Sequence, residues 1–441
     1  MNIKEMDKVT PMREKSSPSW LAWRSQDATG CLFDSYSRRA FLGKAGAGAL
    51  LAGASGVLSP NLLGANVAPD PGTYQPLDPA RKVRIGVVGG GFGASFQWHL
   101  HPNCIVQAVS DLRTDRRNKL MKVYKCDRSY ESLEKLILDK EIDAVAVFTG
   151  VPDHARHCIA VMNAGKHVIC AVAACFTLAE AEQLREAKER TGLKYMMAET
   201  SYYRLYTIAA RDLYNQGAFG ELFYSEVEYY HPVNEAFRKR YWYYNGKHTW
   251  RYGYPPMHYP THSTGFLLGV NKERLTEVSC LGLCAPEMEG YGIGKNQYDN
   301  PFNTGVALMK TDRGHICRCI KVNAGTNAGE RAQWFGTRMS FFMPSYVSGQ
   351  PFRMHGPQAP KWTKLPDYLQ RLPKSMRVKT GHGNSHTFLT NEFIAAIVED
   401  REPVIDIYES LAMTVPGIIA HQSALKGGEQ LKVPGFDRAM S

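Results

Sequence analysis

The sequence contains no internal repeat, no block of basic residues and no long hydrophobic run. The formal net charge is +11, but the basic residues are scattered along the chain, so we expect no nucleic-acid partner. A membrane-spanning helix needs about 20 apolar residues. The longest small, apolar stretch, residues 45–58, is too short and too rich in glycine for a stable span. The 441 residues, 44% of them hydrophobic, instead indicate a globular chain with more than one domain.

Metal-binding and disulfide patterns are also missing. The ten cysteines include two close pairs, Cys280/Cys284 and Cys317/Cys319. Neither pair is accompanied by a second pair or by histidines at zinc-ligand spacing. We therefore expect no metal site and mainly buried thiols, while a disulfide remains an alternative in an oxidising compartment.

A glycine-rich turn is the most informative feature that is present. An apolar run ends at Gly89, and Gly91 and Ala94 complete the pattern G-x-G-x-x-G/A, with the predicted cofactor-binding residues Phe92 and Gly93 between them. This turn is typical of dinucleotide binding, because Gly89 permits a tight turn and Gly91 admits the pyrophosphate. We expect a helix after the turn, with the pyrophosphate at its N-terminal dipole.

An acidic residue follows the second predicted strand. The apolar run 104–109 ends at Asp111, about twenty residues after Gly89, where a carboxylate binds the ribose 2′-hydroxyl of NAD. Arg113 can tolerate a 2′-phosphate, so NADP remains the alternative to NAD.

Strand and helix signals alternate from residue 82 to about residue 200, which predicts a parallel, doubly wound sheet. The predicted strands are 144–148, 167–170 and 193–198, and a capping box at Thr177 and Glu180 starts one of the helices. Ligands of such sheets bind beyond the carboxyl ends of the strands. The strand-end candidates for the cofactor crevice are Thr149, Val172 and Glu199.

The pattern changes after residue 205. Residues 222–230 alternate apolar and polar, and later runs predict further strands at 276–283, 305–309 and 315–322. Residues 388–398 predict an amphipathic helix. These signals indicate an α/β chain whose N-terminal Rossmann domain is followed by an α+β domain with a largely antiparallel sheet.

Aromatic residues are unusually dense between residues 229 and 259. Aromatic faces pack against the C–H faces of sugars, but packing in a core or an oligomer interface is the better explanation for most of these residues.

Residues 37–44 read Ser-Arg-Arg-Ala-Phe-Leu-Gly-Lys, directly before the apolar run 45–58. This order is typical of a twin-arginine export signal. We expect the twin-arginine machinery to export the folded protein, with its dinucleotide, to the periplasm or another extracytoplasmic site. The predicted domains are a signal region and leader (1–68), a linker (69–81), a NAD-binding Rossmann domain (82–204) and a substrate-binding domain (205–441).

Several segments together resemble the glucose–fructose oxidoreductase / inositol dehydrogenase / MocA (Gfo/Idh/MocA) family over roughly residues 82–435. They are the turn at 89–94, the Pro152-Asp153-His154 turn, and residues 164–168 and 217–221. The resemblance implies a Rossmann domain joined to a mainly antiparallel domain, NAD or NADP as cofactor, and a carbohydrate or polyol substrate. It also implies that Pro152 and His154 line the cofactor crevice.

One departure from the family pattern is informative. Typical members carry Glu-Lys-Pro after the strand equivalent to 167–170, and that lysine touches both nicotinamide and substrate and helps to move the proton. Here residues 171–173 are Ala-Val-Ala, and Val172 can transfer no proton.

A branch that also lacks the lysine is the NAD-dependent glycosidases of glycoside hydrolase family 109. Its motifs resemble residues 199–204, Trp250-Arg251, Tyr-Pro-Thr-His at 259–262 and Gly-His-Gly at 381–383. Thr200 and Ala171 replace the usual Asn and Glu of the branch, so the resemblance does not fix N-acetylgalactosamine as the substrate.

The resemblance implies transient oxidation at C3 of a glycoside, loss of the C2 proton, elimination at C1 and addition of water. His262 is the candidate acid or base near C3, because histidine titrates near neutral pH, and Tyr203 is the candidate at C2. Glu199 is expected to orient Tyr203 or to touch the nicotinamide ribose. The candidates for binding the substrate are Tyr259, Arg251, His386 and Trp250.

Two other functions remain open at this stage. A net sugar dehydrogenase or 3-keto-sugar-forming enzyme would use a rebuilt proton relay, and a non-catalytic NAD-bound sensor would need none. By analogy with the family, a homo-oligomer that pairs open sheet faces is also expected.

Overall fold

The computed structural model describes residues 73–285, 288–325, 328–345 and 348–438. The predicted signal region and leader (1–68), including Cys31, lie outside these residues. The other nine cysteines are free thiols, and all but the half-buried Cys284 are buried. None of the helices in these ranges is long and apolar enough to cross a bilayer.

The first sheet has six parallel strands in the order β3-β2-β1-β4-β5-β6. They are β1 (Val83–Val88), β2 (Cys104–Ser110), β3 (Ser129–Tyr130), β4 (Ala144–Val147), β5 (His167–Cys170) and β6 (Tyr195–Met197). The helices of this part are α1 (Thr114–Tyr124), α2 (Leu133–Leu136), α3 (His154–Asn163) and α4 (Leu178–Thr191). This strand order is that of a Rossmann fold and confirms the predicted fold class.

The expectation of a helix directly after the glycine turn is wrong. Two short 3-10 helices, Gly93–Ser95 and Trp98–Leu100, stand there instead. Phe96 and Trp98 are both fully buried, with their rings stacked 5.8 Å apart, and the backbone at Phe96 is extended. In a continuous α-helix, side chains two residues apart diverge by about 200° and could not stack on each other. The stacking of these two rings therefore excludes a regular helix here.

The second sheet has eight strands in the order β15-β14-β13-β7-β12-β11-β10-β16, all antiparallel except the pair β7 and β12. They are β7 (Leu222–Tyr230), β10 (Leu275–Leu283), β11 (Thr304–Thr311), β12 (Ile316–Val322), β13 (Gly329–Gly336), β14 (Ser340–Phe342), β15 (Arg353–His355) and β16 (Leu431–Lys432). A separate hairpin consists of β8 (Tyr243–Tyr244) and β9 (Lys247–His248).

The second part of the chain contains the helices α5 (Leu205–Asn215), α6 (Glu235–Tyr241), α7 (Thr261–Asn271), α8 (Ser385–Val398) and α9 (Ile407–Leu425). α7 packs on β7, β12 and β13, whereas α9 contacts both β10 and β6. The helix predicted at 388–398 is present within α8, but it is buried on nearly all sides rather than amphipathic, because it also packs against β1.

Candidate active site

The glycine turn after β1 leaves space for a phosphate. Gly89 has φ +101°, and a Cβ there would lie 2.2 Å from the carbonyl oxygen of Phe148. A Cβ at Gly93 would lie 2.8 Å from the Phe148 ring, so both positions require glycine. At Gly91 the nearest atom is Nη1 of Arg116 at 3.8 Å, which leaves the turn open beside a guanidinium group.

Asp111 at the end of β2 fixes the shape of this turn. Its Oδ2 accepts a hydrogen bond of 2.7 Å from the N–H of Gly90, and its Oδ1 accepts one of 2.8 Å from Arg113 N–H. In the described part of the chain, the N–H groups of Gly91 and Phe92 make no hydrogen bond. Free N–H donors, an open glycine and a carboxylate with spare lone pairs fit the pyrophosphate and ribose of NAD, without a helix dipole.

The ends of β4 and β5 form the adjoining wall. The ring nitrogens of His154 lie 2.7 Å from Ala173 O and 3.1 Å from Thr149 O, so this buried ring joins the two strand ends from behind. Burial lowers the pKa of His154 to about 4, and the ring is neutral. Pro152 belongs to the 3-10 helix Val151–Asp153 after β4, and Val172 is buried next to Ala173.

Trp250 closes this wall from the second domain. A Cβ at Gly150 would lie 2.6 Å from Cδ1 of the indole, so the ring lies directly on the strand-end backbone. The guanidinium of Arg251 stacks 4.2 Å from the centroid of the same ring. Trp250 and Arg251, two of the four residues predicted to bind substrate, therefore face the crevice of the first sheet.

A buried carboxylate–histidine pair lies at the centre of the site. Oε1 of Glu199, just after β6, is 2.8 Å from Nδ1 of His262 on α7. Burial alone would raise the pKa of Glu199, but the charge and hydrogen bond of His262 outweigh it and leave that pKa below its usual value. Nε2 of His262 makes no hydrogen bond among the described residues. The carboxylate therefore holds the ring and leaves one nitrogen for a ligand.

Gly265, one turn after His262, allows this contact. A Cβ at Gly265 would lie 2.8 Å from Cγ of Glu199, so only glycine lets α7 approach the carboxylate this closely. Glu199 thus positions His262 rather than Tyr203, which differs from the role expected for it.

Two tyrosines surround the His262 ring. The ring of Tyr229 on β7 lies 4.7 Å from it, and that of Tyr259 lies 5.2 Å away. Burial raises the pKa of both hydroxyls, and the positive charge of Arg251 partly opposes this rise. Both hydroxyls are therefore protonated donors at neutral pH. Tyr259 and Arg251, two of the predicted substrate ligands, are brought together with His262.

His386 occupies a different position from the one expected. Its Nδ1 lies 3.0 Å from Ser95 O and must donate, so its Nε2, 2.9 Å away, accepts from Nδ1 of His382. Nε2 of His382 then carries a free lone pair, and the His382 ring stacks 6.4 Å from that of His262. Burial lowers the pKa values of His386 and His382 to about 4 and about 3. His386 thus orients His382, which is the ring that faces the site.

Phe92 joins the glycine turn to this histidine pair. Its ring contacts His382 at 5.6 Å and His386 at 5.3 Å, as well as Phe96 and Phe148. The predicted cofactor residue therefore connects the two domains.

Tyr203 is not brought into contact with this cluster. Its ring stacks on Phe388 at 6.0 Å and packs against Tyr202 and the guanidinium of Arg211. Burial and the nearby carboxylate of Glu392 raise the pKa of its hydroxyl. Phe388 and Glu392 belong to α8, so Tyr203 lies at the contact with that helix.

Sequence reasoning did not select Tyr229, His382 or Lys321 for this site. Lys321 lies on β12 with its ammonium nitrogen 4.5 Å from the centroid of the Tyr229 ring. The sequence does contain a signal for it, because Lys321 continues the inward-facing series of Cys317 and Cys319 at period two. A lysine on the buried face of a strand is rare without a function.

Two protein-family models match parts of this chain. The model of the oxidoreductase family with an NAD-binding Rossmann fold matches residues 83–199, and that of the glycosyl hydrolase 109 C-terminal domain matches residues 347–440. A glycosyl hydrolase family 109 protein of Porphyromonas gingivalis is 29% identical over 404 residues, which cover 81% of this chain and 85% of the relative. One from Solibacter usitatus is 25% identical and covers 82% and 89%.

Solved structures share the fold. The WlbA dehydrogenase of Bordetella pertussis, in complex with NADH and UDP-GlcNAcA, matches with a TM-score of 0.65 and 15% identity over 80% of this chain and 99% of that one. Levoglucosan dehydrogenase, in complex with NADH and L-sorbose, matches with a TM-score of 0.63 and 17% identity over 81% and 100%. This chain therefore joins an NAD-binding Rossmann domain of the Gfo/Idh/MocA oxidoreductase family to a C-terminal domain of glycosyl hydrolase family 109.

Proposed function

We propose that this enzyme cleaves a glycoside through transient oxidation at C3, elimination of the C1 substituent and addition of water, with no net redox change. NAD, when bound, supplies reversible hydride transfer at C3. The observation that carries the proposal is the Glu199–His262 pair, which provides a proton acceptor. After β5, Val172 stands at the position of the lysine that other family members use for proton transfer.

His262 acts on the hydroxyl at C3. Its Nδ1 is held by Glu199, so Nε2 is the atom that takes the hydroxyl proton as the carbonyl forms and returns it at the end. The pKa of Glu199 is below its usual value, so the carboxylate stays ionised at neutral pH and stabilises the protonated ring.

The surrounding polar groups bind the other hydroxyls. Tyr259 and Tyr229 remain protonated and donate hydrogen bonds, whereas the free lone pair of His382 accepts one. This mixture of donors and an acceptor suits the hydroxyls of a carbohydrate.

A net sugar dehydrogenase is the second candidate. The observation that favours it is the fold, which is shared with dehydrogenases solved in complex with NADH. The two candidates differ in whether reduced cofactor accumulates and in whether the aglycone leaves.

We also propose that the chain is exported folded by the twin-arginine route to an extracytoplasmic site. The support is the sequence alone: the pair Arg38-Arg39, the following Phe41-Leu42 and the short apolar run. A resident cofactor that is regenerated within each turnover suits a compartment that lacks a nicotinamide pool.

We propose further that two copies of the chain pair through the open face of the second sheet. This face exposes a contiguous apolar patch, because Leu281 on β10 is the register partner of Val306 on β11. The patch consists of Leu281, Leu283, Val306, Leu308 and Ile316. Beside it, Arg318 pairs with Glu226 and Glu228, so the face carries both charge signs, as a surface that pairs with a second copy of itself requires.

The function is tested with nitrophenyl glycosides in D₂O. We expect released nitrophenol, deuterium at C2 of the product sugar and no net reduced cofactor. His262→Gln should lower turnover by about 10²-fold or more and leave the NAD content unchanged. His355→Gln, at an exposed histidine of β15, is the matched control. Stoichiometric reduced cofactor with an intact aglycone bond would establish the dehydrogenase instead.

The close approach of α7 to Glu199 gives a second prediction. Gly265→Ala places a methyl group 2.8 Å from Cγ of Glu199 and should lower turnover at least tenfold by displacing the carboxylate from His262. Gly269→Ala, one turn later, meets the side chains of Tyr202 at 3.1 Å and Thr207 at 3.2 Å but not Glu199, and should retain activity. Both changes raise helix propensity by about 1 kcal/mol, so unfolding in urea controls for stability. Equal loss of turnover in the two variants would contradict this role of Gly265.

Export is tested by replacing Arg38 and Arg39 together with lysine. The conservative change removes the arginine pair that the export machinery reads, so the protein should accumulate in the cytoplasm of a host with a twin-arginine system. Arg13→Lys with Arg24→Lys is the matched control. Export of the first variant at the control's level would refute the proposal.

The dimer is tested by light scattering after size exclusion. Leu308→Asp places a charge in the centre of the apolar patch and should yield monomers, while Leu138→Asp, at an exposed leucine outside the patch, should leave the dimer intact. A monomeric native protein at micromolar concentration would rule the interface out.

A further inference from the structure

Lys321 is a buried cation that the reaction described above does not use. It lies on β12 and is only 3% exposed. Its register partner on the parallel strand β7 is Tyr229, so both side chains point to the face that α7 covers. That face carries the site residues of the second domain.

The ammonium group of Lys321 has few partners. Its nitrogen donates one hydrogen bond, 2.5 Å long, to Oδ1 of Asn323, and it lies 4.5 Å from the centroid of the Tyr229 ring. Within the described ranges no carboxylate forms a salt bridge with it. Burial without a counterion destabilises the charged form of a lysine.

The neighbouring positive charge favours the neutral form of Lys321, as burial does. Burial is the main cause that lowers its pKa, and the positive charge of Arg251 lowers it further, to about 7. The charges of Lys321, Arg251 and His262 together lower the pKa of His231 at the end of β7, after the larger effect of burial. The neutral amine is therefore populated near pH 7, unlike that of an exposed lysine.

Lys321 is also close to the catalytic histidine. The Tyr229 ring, whose face the amine approaches, touches His262 edge to face at 4.7 Å. The amine of Lys321 and the ring of His262 thus contact the same aromatic ring. By contrast, Val172 can accept no proton, and Tyr203 stacks on Phe388 outside this cluster.

We propose that Lys321 is the catalytic base that removes the C2 proton of the substrate. The inference rests on the proposed function and names the group that performs its central step. The lysine that this chain lacks after β5 is replaced by one that enters the site from the sheet of the second domain.

With a carbonyl group at C3, the amine lone pair takes the C2 proton, and the electrons of the C2–H bond form the C1–C2 double bond. The C1–O bond breaks, and its electron pair leaves with the aglycone oxygen. Water then adds hydroxide to C1, the ammonium group returns a proton to C2, and the proton released by water neutralises the aglycone.

A purely structural role explains the residue less well. A methionine would fill the same volume without burying an unpaired charge, and such replacements are often neutral or stabilising. A lysine that only packed its stem would place its nitrogen in solvent, whereas this nitrogen is enclosed.

The decisive variants are Lys321→Met and Lys321→Arg, compared with Lys310→Met at an exposed lysine of β11. The arginine keeps a cation but cannot accept a proton near pH 7. We expect both Lys321 variants to lose C2 deuterium incorporation and glycoside cleavage by about 10²-fold or more. They should still reduce bound NAD when substrate is added, because His262 acts at C3. Lys310→Met should behave as the native protein.

The pH dependence separates catalysis from packing. Native kcat/KM should rise with pH through about 7 as the amine deprotonates, and this rise should be absent from the residual activity of Lys321→Met. The folded pKa is lower than the ordinary 10.5, so the native protein gains stability between pH 7 and pH 10. Lys321→Met should therefore have the higher Tm at pH 6, and its advantage should shrink as pH rises.

The outcomes distinguish this inference from the function on which it rests. Deuterium incorporation by the native protein that persists in Lys321→Met and Lys321→Arg, with an unchanged pH profile, would overturn the role of Lys321 alone. No deuterium at C2 with the native protein would overturn the elimination mechanism and, with it, the base assignment.

Discussion

The contact between Glu199 and His262 is the interaction on which the rest of the site depends. The carboxylate is completely buried, and an isolated charge in such a place would be neutralised or expelled. Here the histidine compensates the carboxylate, and the carboxylate in turn fixes the ring. Because Glu199 follows β6 and His262 lies in the first turn of α7, this contact also joins the two domains.

Positive charge accumulates on the other side of His262. Among the described residues, Arg251 stacks on the Trp250 ring and Lys321 approaches the Tyr229 ring, and neither forms a salt bridge, while burial keeps His231 and His382 neutral. Burial favours protonated tyrosines, neutral histidines and a neutral amine, and the neighbouring positive charge reinforces the effect on the histidines and the amine. The same low polarity that destabilises these groups makes them suitable for proton transfer near pH 7.

The cofactor side of the site is built around the glycine turn after β1. Two buried rings, Phe96 and Trp98, replace the first Rossmann helix with short turns, so phosphate binding depends on free N–H groups and the space at Gly91. Asp111 holds the turn through Gly90 and still offers lone pairs to a ribose. Phe92 extends from this turn to the histidines of the second domain.

The sequence by itself determined the alternation of strands and helices, the parallel sheet and the residues at its strand ends. Those features follow from local periodicity and turn chemistry, which operate over a few residues. The capping box at Thr177 and the strand at 222–230 appear in the structure as the sequence predicts. The motif around His262 also identified the central histidine, although local signals could not reveal that Glu199 would be its partner.

Only the tertiary structure decided which polar residues share one site. Tyr203 and His386 are close in sequence to site residues, but their side chains are occupied by Phe388 and by Ser95 and His382. Lys321 joins the site because two parallel strands from distant parts of the chain place it beside Tyr229. Strand register and the burial of an uncompensated charge are long-range properties, and a linear pattern of residue types does not contain them.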